Sequence, residues 1–197
     1  MSTSTTGSSP ALGVARVLHD PLRVRLSGRG GQGIILAGTM LAEAAMEDGL
    51  YVVQTQTYGP EARLGASKSE VVISSREIAF PEVSVPDLVL CFSRDAYLKY
   101  GKQVTPDGFI LLEETIRQEV PDARGHFLPF RRTARELGND LSLNVIALGA
   151  LVGLTQAVTR DSLRKALKAR MKPEFLELNE RALEIGFELG GAVPQNV

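Results

Sequence analysis

The chain has very little cysteine: among its 197 residues only Cys91 carries a thiol. One cysteine cannot form an internal disulfide framework, a CxxC pair, or the ligand set of an iron–sulfur cluster or a closed zinc site. Because Cys91 lies in the apolar run 88–92, we expect a buried and inert thiol. The scarcity of cysteine excludes a metal or redox centre built from this chain's own thiols, and a reducing, cytoplasmic setting is expected.

Net charge of one sign and long apolar runs are also lacking. The 22 basic and 23 acidic residues almost cancel, so no overall field attracts nucleic acid. The longest uncharged apolar stretch, around 143–154, is too short to span a bilayer, and no signal-peptide pattern is recognised at the start. We therefore expect neither nucleic acid nor a membrane as a partner, and we interpret residues 1–20 as a disordered lead-in.

Complete catalytic motifs are missing as well. The sequence contains no P-loop, no nucleophile elbow and no Gly-Asp-Gly motif leading to Asn of the kind that holds thiamine diphosphate. His19 and His126 lie far from any recognisable motif with Ser, Cys or an acid, so we interpret both as structural or solvated. A complete enzyme is therefore hard to build from this chain alone.

What the sequence does have is an alternation of strand and helix patterns. Strands are predicted at 22–26, 50–55, 68–75, 87–92, 108–112 and 125–130. Helices are predicted at 34–48, 93–100, 133–137, 142–154, 159–172 and from Pro173 onward. This pattern predicts one Rossmann-like α/β domain over 21–190, with a tail at 191–197. We expect a largely parallel sheet, helices on both faces and a helical C-terminal third.

The last three predicted helices carry two packing signals. Gly149 and Gly153 lie four residues apart on an apolar helix, which permits a neighbouring backbone to approach closely. The helix 159–172 is basic and the helix that follows it is acidic, so the two are predicted to form ion pairs with each other. The basic helix is interpreted first as a solvated face and only second as a phosphate site. The cluster Arg131, Arg132 and Arg135 is also interpreted first as solvated surface, and second as a docking site for a partner.

The most informative stretch is Gly28-Arg29-Gly30-Gly31-Gln32-Gly33, between the first predicted strand and the first predicted helix. We call these residues, 28–33, the glycine corner. Unpaired N–H groups and the helix dipole at such a corner suit a phosphate or another anion. The spacing also matches G-x-G-x-x-G, but the next strand ends in 54–57 without the acid that holds a nicotinamide ribose. A nicotinamide site is disfavoured, and a pure packing role stays open.

A second constellation follows the second predicted strand. The loop contains Tyr58, Gly59, Glu61 and Arg63, and Gly59-Pro60 breaks regular structure. If this strand and the first are parallel neighbours, the loop lies near the glycine corner, where Arg63 could meet an anion or carboxylate. A surface contact between Glu61 and Arg63 is the alternative. Asn144, a lone amide on an apolar helix, is expected to be a hydrogen-bonded core or interface group.

Several segments in this order resemble one family, the gamma subunits of the 2-oxoacid:ferredoxin oxidoreductases. The resemblance runs from about Arg23 to Leu189 and is strongest to the 2-oxoglutarate type. It is carried by five segments: 28–33, 58–63, Ser69–Ser74, Pro86-Asp87 and 144–150. One departure is Leu64, where the family often has a glycine; Leu cannot adopt a positive φ as cheaply, so the loop or its ligand is expected to differ.

The resemblance implies an assembled enzyme that oxidatively decarboxylates a 2-oxoacid to an acyl-CoA and CO2. It implies alpha and beta subunits that hold thiamine diphosphate, Mg2+ and an iron–sulfur cluster, with ferredoxin as electron acceptor. This chain is then non-catalytic and serves assembly and the coenzyme A side of the site, through residues 28–33, Tyr58, Gly59, Glu61, Arg63 and Asn144. A stand-alone NAD(P)-binding dehydrogenase and a purely structural subunit are the alternatives.

Overall fold

The computed structural model describes residues 19–57 and 66–194. Its strands are β1 (Leu22–Arg29), β2 (Tyr51–Thr57), β3 (Ala66–Ser74), β4 (Leu88–Cys91), β5 (Phe109–Glu113) and β6 (His126–Leu128). Its α-helices are α1 (Ile34–Glu47), α2 (Arg94–Ala96), α3 (Phe130–Glu136), α4 (Leu143–Thr155), α5 (Arg160–Arg170) and α6 (Pro173–Gly191). A π-helical segment (Tyr97–Gly101) and 3-10 segments (Glu114–Glu119, Asp140–Ser142) complete the secondary structure of these ranges.

The six strands form one sheet in the order β2-β3-β1-β4-β5-β6. β1, β4, β5 and β6 pair in parallel, whereas β3 runs antiparallel to both β1 and β2. The predicted α/β class with a largely parallel sheet is confirmed. The reversal of β3 follows from its connection, because residues 58–65 are too few for the helical crossover that parallel neighbours need.

The two faces of the sheet are covered unequally. Leu22, Val24 and Leu26 alternate along β1 toward the larger core, which includes residues of α1, α3, α4, α5 and α6. On the opposite face, Val89 and Cys91 of β4 pack in a smaller cluster with the π-helical and 3-10 segments. Helices therefore cover both faces, as predicted, but all the long ones lie on one side.

Two helices begin at residue types that favour a helix start. The Thr159 hydroxyl accepts a hydrogen bond from the N–H of Ser162 and caps α5. Pro173 is the first residue of α6, where its missing N–H costs nothing. None of the helices in 19–57 and 66–194 is long and apolar enough to cross a membrane.

Helices α4 and α6 cross through glycines. A Cβ atom added to Gly149 would lie 2.6 Å from the Leu183 carbonyl oxygen and 3.0 Å from the Gly186 Cα. A Cβ at Gly153 would overlap the Phe187 backbone. The predicted close backbone approach at these two glycines is thus present, and its partner is α6.

The basic helix α5 pairs with two neighbours. Arg164 lies 2.8 Å from Glu184, and Lys168 lies 3.0 Å from Glu180, so the predicted pairing of α5 with α6 is present. Two more of its basic side chains reach α1, through the pairs Lys165–Glu47 and Arg170–Glu43. Because these groups are partly to largely exposed, solvent screens the pairs and each adds little to the stability of the fold.

The predicted lead-in and tail are mostly beyond what the structure describes. Residues 1–18 and 195–197 lie outside the described ranges. The boundaries at 20/21 and 190/191 therefore stay predictions.

Candidate functional site

The side chain of Gln32 bridges the turn of the glycine corner. β1 continues to Arg29, beyond the predicted end at Leu26, and the turn is held by a 3.2 Å bond from Gln32 N–H to the Arg29 carbonyl. The Gln32 side-chain oxygen accepts a 2.6 Å bond from the Arg29 N–H. This use of the Gln32 oxygen was not foreseen in the sequence, and it fixes the shape of the corner.

The outer surface of the corner is open backbone. Cβ atoms added to Gly30 or Gly31 would have no non-adjacent residue of 19–57 or 66–194 within 4 Å. Gly31 has φ 84° and Gly33 has φ 70°, a region that glycine adopts without strain. Helix α1 begins at Ile34, and no side chain among the described residues caps its first N–H groups. Such uncapped N–H groups are suited to binding an anion.

Asn144, on α4, holds the end of the glycine corner that leads into α1. Its Nδ2 donates a 3.3 Å hydrogen bond to the Gly33 carbonyl, across 111 positions of sequence. A Cβ on Gly33 would lie 2.8 Å from the Asn144 Cγ, so the two residues are in direct contact. The expected hydrogen-bonded amide is therefore present, and it fixes the start of α1 from α4.

Arg29 is the cation of the corner. Its side chain is 52% exposed and lies 3.1 Å from Asp95, which belongs to α2 and follows β4. Asp95 was not among the predicted site residues. Its position in the sequence could have indicated it. Asp95 follows the buried strand β4 and the helix cap Ser93, and ligand-binding side chains of parallel sheets lie at the carboxyl ends of strands.

Tyr58, Gly59, Glu61, Arg63 and Leu64 lie outside the described residues. The ends that flank them are described. Thr57 pairs with Lys68, and Ala66 pairs with Arg29. The connection therefore returns to the sheet directly beside the glycine corner, although β1 and β2 are not the parallel neighbours on which the predicted proximity depended.

A buried ion pair holds this returning strand in register. The Arg25 Nε lies 2.7 Å from Glu70, and the Lys68 Nζ lies 2.8 Å from the same carboxylate. The Arg25 Nη2 also donates a 2.6 Å bond to the Val83 carbonyl. Removing one partner of such a pair is costly because the other charge stays buried.

The sheet order argues against a nicotinamide site. In that fold the second strand lies beside the first, so that its terminal acid reaches the ribose. Here β3 separates them, which puts β2 about 9–10 Å from β1. Gln54 of β2 instead bonds Ser69 at 3.1 Å and Thr39 at 3.3 Å, so it is part of the packing between α1 and the sheet.

The remaining candidates take structural positions. Cys91 is fully buried, and burial raises the pKa of its thiol to about 12, as expected for an inert cysteine. His19 Nδ1 lies 2.7 Å from the buried Asp87, which also accepts a 2.7 Å bond from the Arg23 N–H. Asp87 precedes β4 and therefore lies at the amino ends of the parallel strands, whereas the glycine corner lies at their carboxyl ends. Within 19–57 and 66–194 no group of three or more His, Cys, Asp or Glu residues could hold a metal ion.

The fold combines an α/β sheet with a glycine corner of exposed backbone that lies at the carboxyl ends of β1 and β4. The chain belongs to the pyruvate ferredoxin/flavodoxin oxidoreductase family, whose model matches residues 23–189. It is the gamma subunit of a 2-oxoacid:ferredoxin oxidoreductase, as the sequence resemblance implied.

Three comparisons make this assignment specific. The chain is 44% identical over 172 residues to the 2-oxoglutarate synthase subunit KorC of Methanocaldococcus jannaschii, covering 84% of this chain and 92% of that subunit. It matches the crystal structure of the keto/oxoacid ferredoxin oxidoreductase gamma subunit of Geobacter sulfurreducens at 38% identity and a TM-score of 0.77, covering 87% and 99% of the two chains. It also matches 32% of a longer chain, the 2-oxoglutarate:ferredoxin oxidoreductase of Magnetococcus marinus with 2-oxoglutarate, coenzyme A and succinyl-CoA bound. That match covers 90% of this chain at 25% identity and a TM-score of 0.77.

Proposed function

We propose that the complex containing this subunit oxidatively decarboxylates 2-oxoglutarate and forms succinyl-CoA and CO2. The support is the 44% identity to a 2-oxoglutarate synthase subunit over most of both chains. The substrate, coenzyme A and succinyl-CoA are bound in the structure of the Magnetococcus marinus relative. Alpha and beta subunits are the proposed partners, with ferredoxin as acceptor; the cytoplasmic setting stays a prediction.

Within that complex, this chain contributes to assembly and to the coenzyme A side of the site. The observation that carries the assignment is the open glycine corner, where no other part of the described chain lies within 4 Å of a Cβ atom added at Gly30 or Gly31. Coenzyme A carries phosphates, and the free N–H groups of α1 are complementary to a phosphate. Arg29 supplies a cation beside them, because an exposed pair such as Arg29–Asp95 is weak enough to open for an anion.

The proposed contribution of this chain is binding and orientation. Thiamine diphosphate with Mg2+, held by partner subunits, supplies the decarboxylation chemistry, and a partner's iron–sulfur cluster carries the electrons. Asn144 holds the Gly33 carbonyl and Gln32 holds the Arg29 N–H. The corner is therefore preorganised, so little ordering remains to be done when an anion binds.

The experiment is reconstitution of the chain with alpha and beta subunits from the same organism, followed by 2-oxoglutarate-dependent dye reduction. G30A adds a methyl group to the open surface without a positive φ. It should raise the Michaelis constant for coenzyme A several-fold and leave kcat and assembly nearly unchanged. G191A is the matched control, because it adds the same methyl group to open space at the end of α6.

Other outcomes separate the alternatives. Failure of the subunits to form a complex would overturn the proposed assembly role. An unchanged Michaelis constant for coenzyme A in G30A would leave a purely structural subunit. Tight binding of NAD(H) or NADP(H) to the isolated chain, measured by calorimetry, would instead favour a stand-alone dehydrogenase.

A further inference from the structure

A groove of about 340 Å³ lies along the outer edge of β6, far from the glycine corner in sheet order. Its walls come from β6 and from two elements on opposite faces of the sheet. Arg117 belongs to the 3-10 segment after β5, Leu189 lies in the last turn of α6, and Val193 follows the end of that helix. The groove therefore wraps around a strand edge.

The strand edge in this groove has no neighbour among the described residues. β6 pairs with β5 on one side, and in 19–57 and 66–194 no strand pairs with its other side. A free edge presents N–H and C=O groups that can bind another extended segment. Because β6 is only three residues long, side-chain contacts must provide most of the selectivity.

The side chains along β6 divide the groove into two walls. Phe127 packs with the smaller core cluster, and the Arg117 guanidinium lies 4.3 Å from the centre of its ring. Leu128 packs with the larger core, on the side of Leu189. A strand added beside β6 would point successive side chains to these two walls in turn.

One wall is cationic and the other is apolar. Arg117 is exposed and forms no ion pair with any carboxylate in the described ranges. Burial lowers the pKa of His126, which leaves Arg117 as the charged group that faces the groove at neutral pH. The opposite wall presents the apolar side chains of Leu189 and Val193.

We propose that this groove receives an extended segment of a partner subunit, which joins the sheet as a seventh strand beside β6. The segment carries an acidic side chain that meets Arg117 and, on its other face, an apolar side chain that meets Leu189 and Val193. This inference rests on the proposed function only in its choice of partner. It assigns the groove to assembly, at the edge of the sheet opposite β2.

The test is hydrogen exchange on the reconstituted complex of this chain with its alpha and beta subunits. Amide exchange at His126–Leu128 should slow on complex formation, and R117E should weaken association by about tenfold. R117K should restore most of the affinity because it keeps the charge. R160E is the matched control, since Arg160 also lies over a phenylalanine ring, 4.7 Å from the centre of Phe187, but away from the groove.

The outcomes distinguish this inference from the proposed function. An active complex in which His126–Leu128 exchange as fast as in the free chain would overturn the groove assignment and leave the proposed function intact. Equal effects of R117E and R160E would overturn it as well. If the amides of His126–Leu128 became protected in the free chain as its concentration rose, the occupant of the groove would be a second copy of this chain, and the assignment to a partner subunit would be overturned. Absence of any complex would overturn both proposals.

Discussion

Glycine is concentrated in two regions of this chain and does opposite things in them. In the glycine corner, side chains added at Gly30 and Gly31 would meet no neighbour from the described parts of the chain within 4 Å. Where α4 crosses α6, side chains added at Gly149 or Gly186 would run into the backbone of the facing helix. The first region leaves room for a ligand, whereas the second has none to spare.

The difference shows that the same residue type answers to two physical demands. At the corner, glycine satisfies a backbone demand, because the chain adopts a positive φ at Gly31 and Gly33. At the helix crossing the backbone is ordinary helix, and glycine satisfies a packing demand instead. Substitution by alanine separates the two, since it tests φ in one region and space in the other.

The largest effect is expected at the crossing. G190A places a methyl group against the Ala150 carbonyl and should lower the free energy of unfolding by about 3 kcal/mol, as overpacked cores do. G191A changes the next residue of α6, whose added methyl group would have no described, non-adjacent residue within 4 Å. It should change the free energy of unfolding by less than about 0.5 kcal/mol. Urea denaturation of the two variants measures the difference; equal stabilities would show that the crossing is not tight.

G33A combines both demands and comes next. The positive φ costs about 1–2 kcal/mol for a residue with a Cβ, and the methyl group must also displace Asn144. We expect a total loss of about 2–3 kcal/mol in unfolding free energy. When Asn144 is first shortened to alanine, most of the steric clash should disappear, so G33A should cost less unfolding free energy in the N144A variant than in the wild type. If the losses from the two substitutions were simply additive, the contact between Gly33 and Asn144 would be contradicted.

G31A isolates the backbone demand. With open space around it, the substitution should lower the free energy of unfolding by about 1–2 kcal/mol through φ alone. G30A has the same open space without a positive φ, so its stability should stay close to that of the wild type. If thermal denaturation gave both variants the same midpoint, the conformation of the corner would not be the constraint on Gly31.

The smallest effect on stability is expected from Glu113, a buried carboxyl group at the carboxyl end of β5. Burial raises the pKa of Glu113, although its carboxylate accepts a 3.0 Å bond from the Arg131 N–H and a 3.4 Å bond from the Thr115 N–H. A raised native pKa means that the folded state holds the proton more tightly than the unfolded state. Stability is therefore expected to fall as pH rises from the ordinary glutamate pKa through the raised native value.

E113Q removes this titration, so its stability relative to the wild type should increase over that pH interval. The measurement is the free energy of unfolding of both proteins at several pH values from acid to neutral. Parallel pH profiles would show that Glu113 does not titrate differently in the folded chain.

Local patterns of the sequence were sufficient for much of the fold. The cap at Thr159, the start of α6 at Pro173 and the close approach at Gly149 are each specified by residues within a turn or two of the feature. The family assignment also came from the sequence, because its motifs occur in a fixed order. Strand lengths were less accurate, since β1 extends to Arg29 and the strand beginning at Ala66 starts two residues early.

The tertiary structure alone decided which distant residues meet. β3 lies between β1 and β2, so the strand expected beside the corner is one position further away. Asn144 contacts Gly33, and Asp95 pairs with Arg29, each through strand order and helix packing that no local pattern encodes. The groove at β6 is likewise formed by segments far apart in the chain.

By itself, the sequence determined the class of fold, the family and the backbone chemistry of the glycine corner. These depend on periodicity, on glycine at fixed spacings and on helix ends, which act over a few residues. Only the tertiary structure decided that the corner is open around Gly30 and Gly31 and is held at Gly33 by Asn144. The physical reason is that space and burial depend on long-range packing, which many sequences with the same local pattern can satisfy differently.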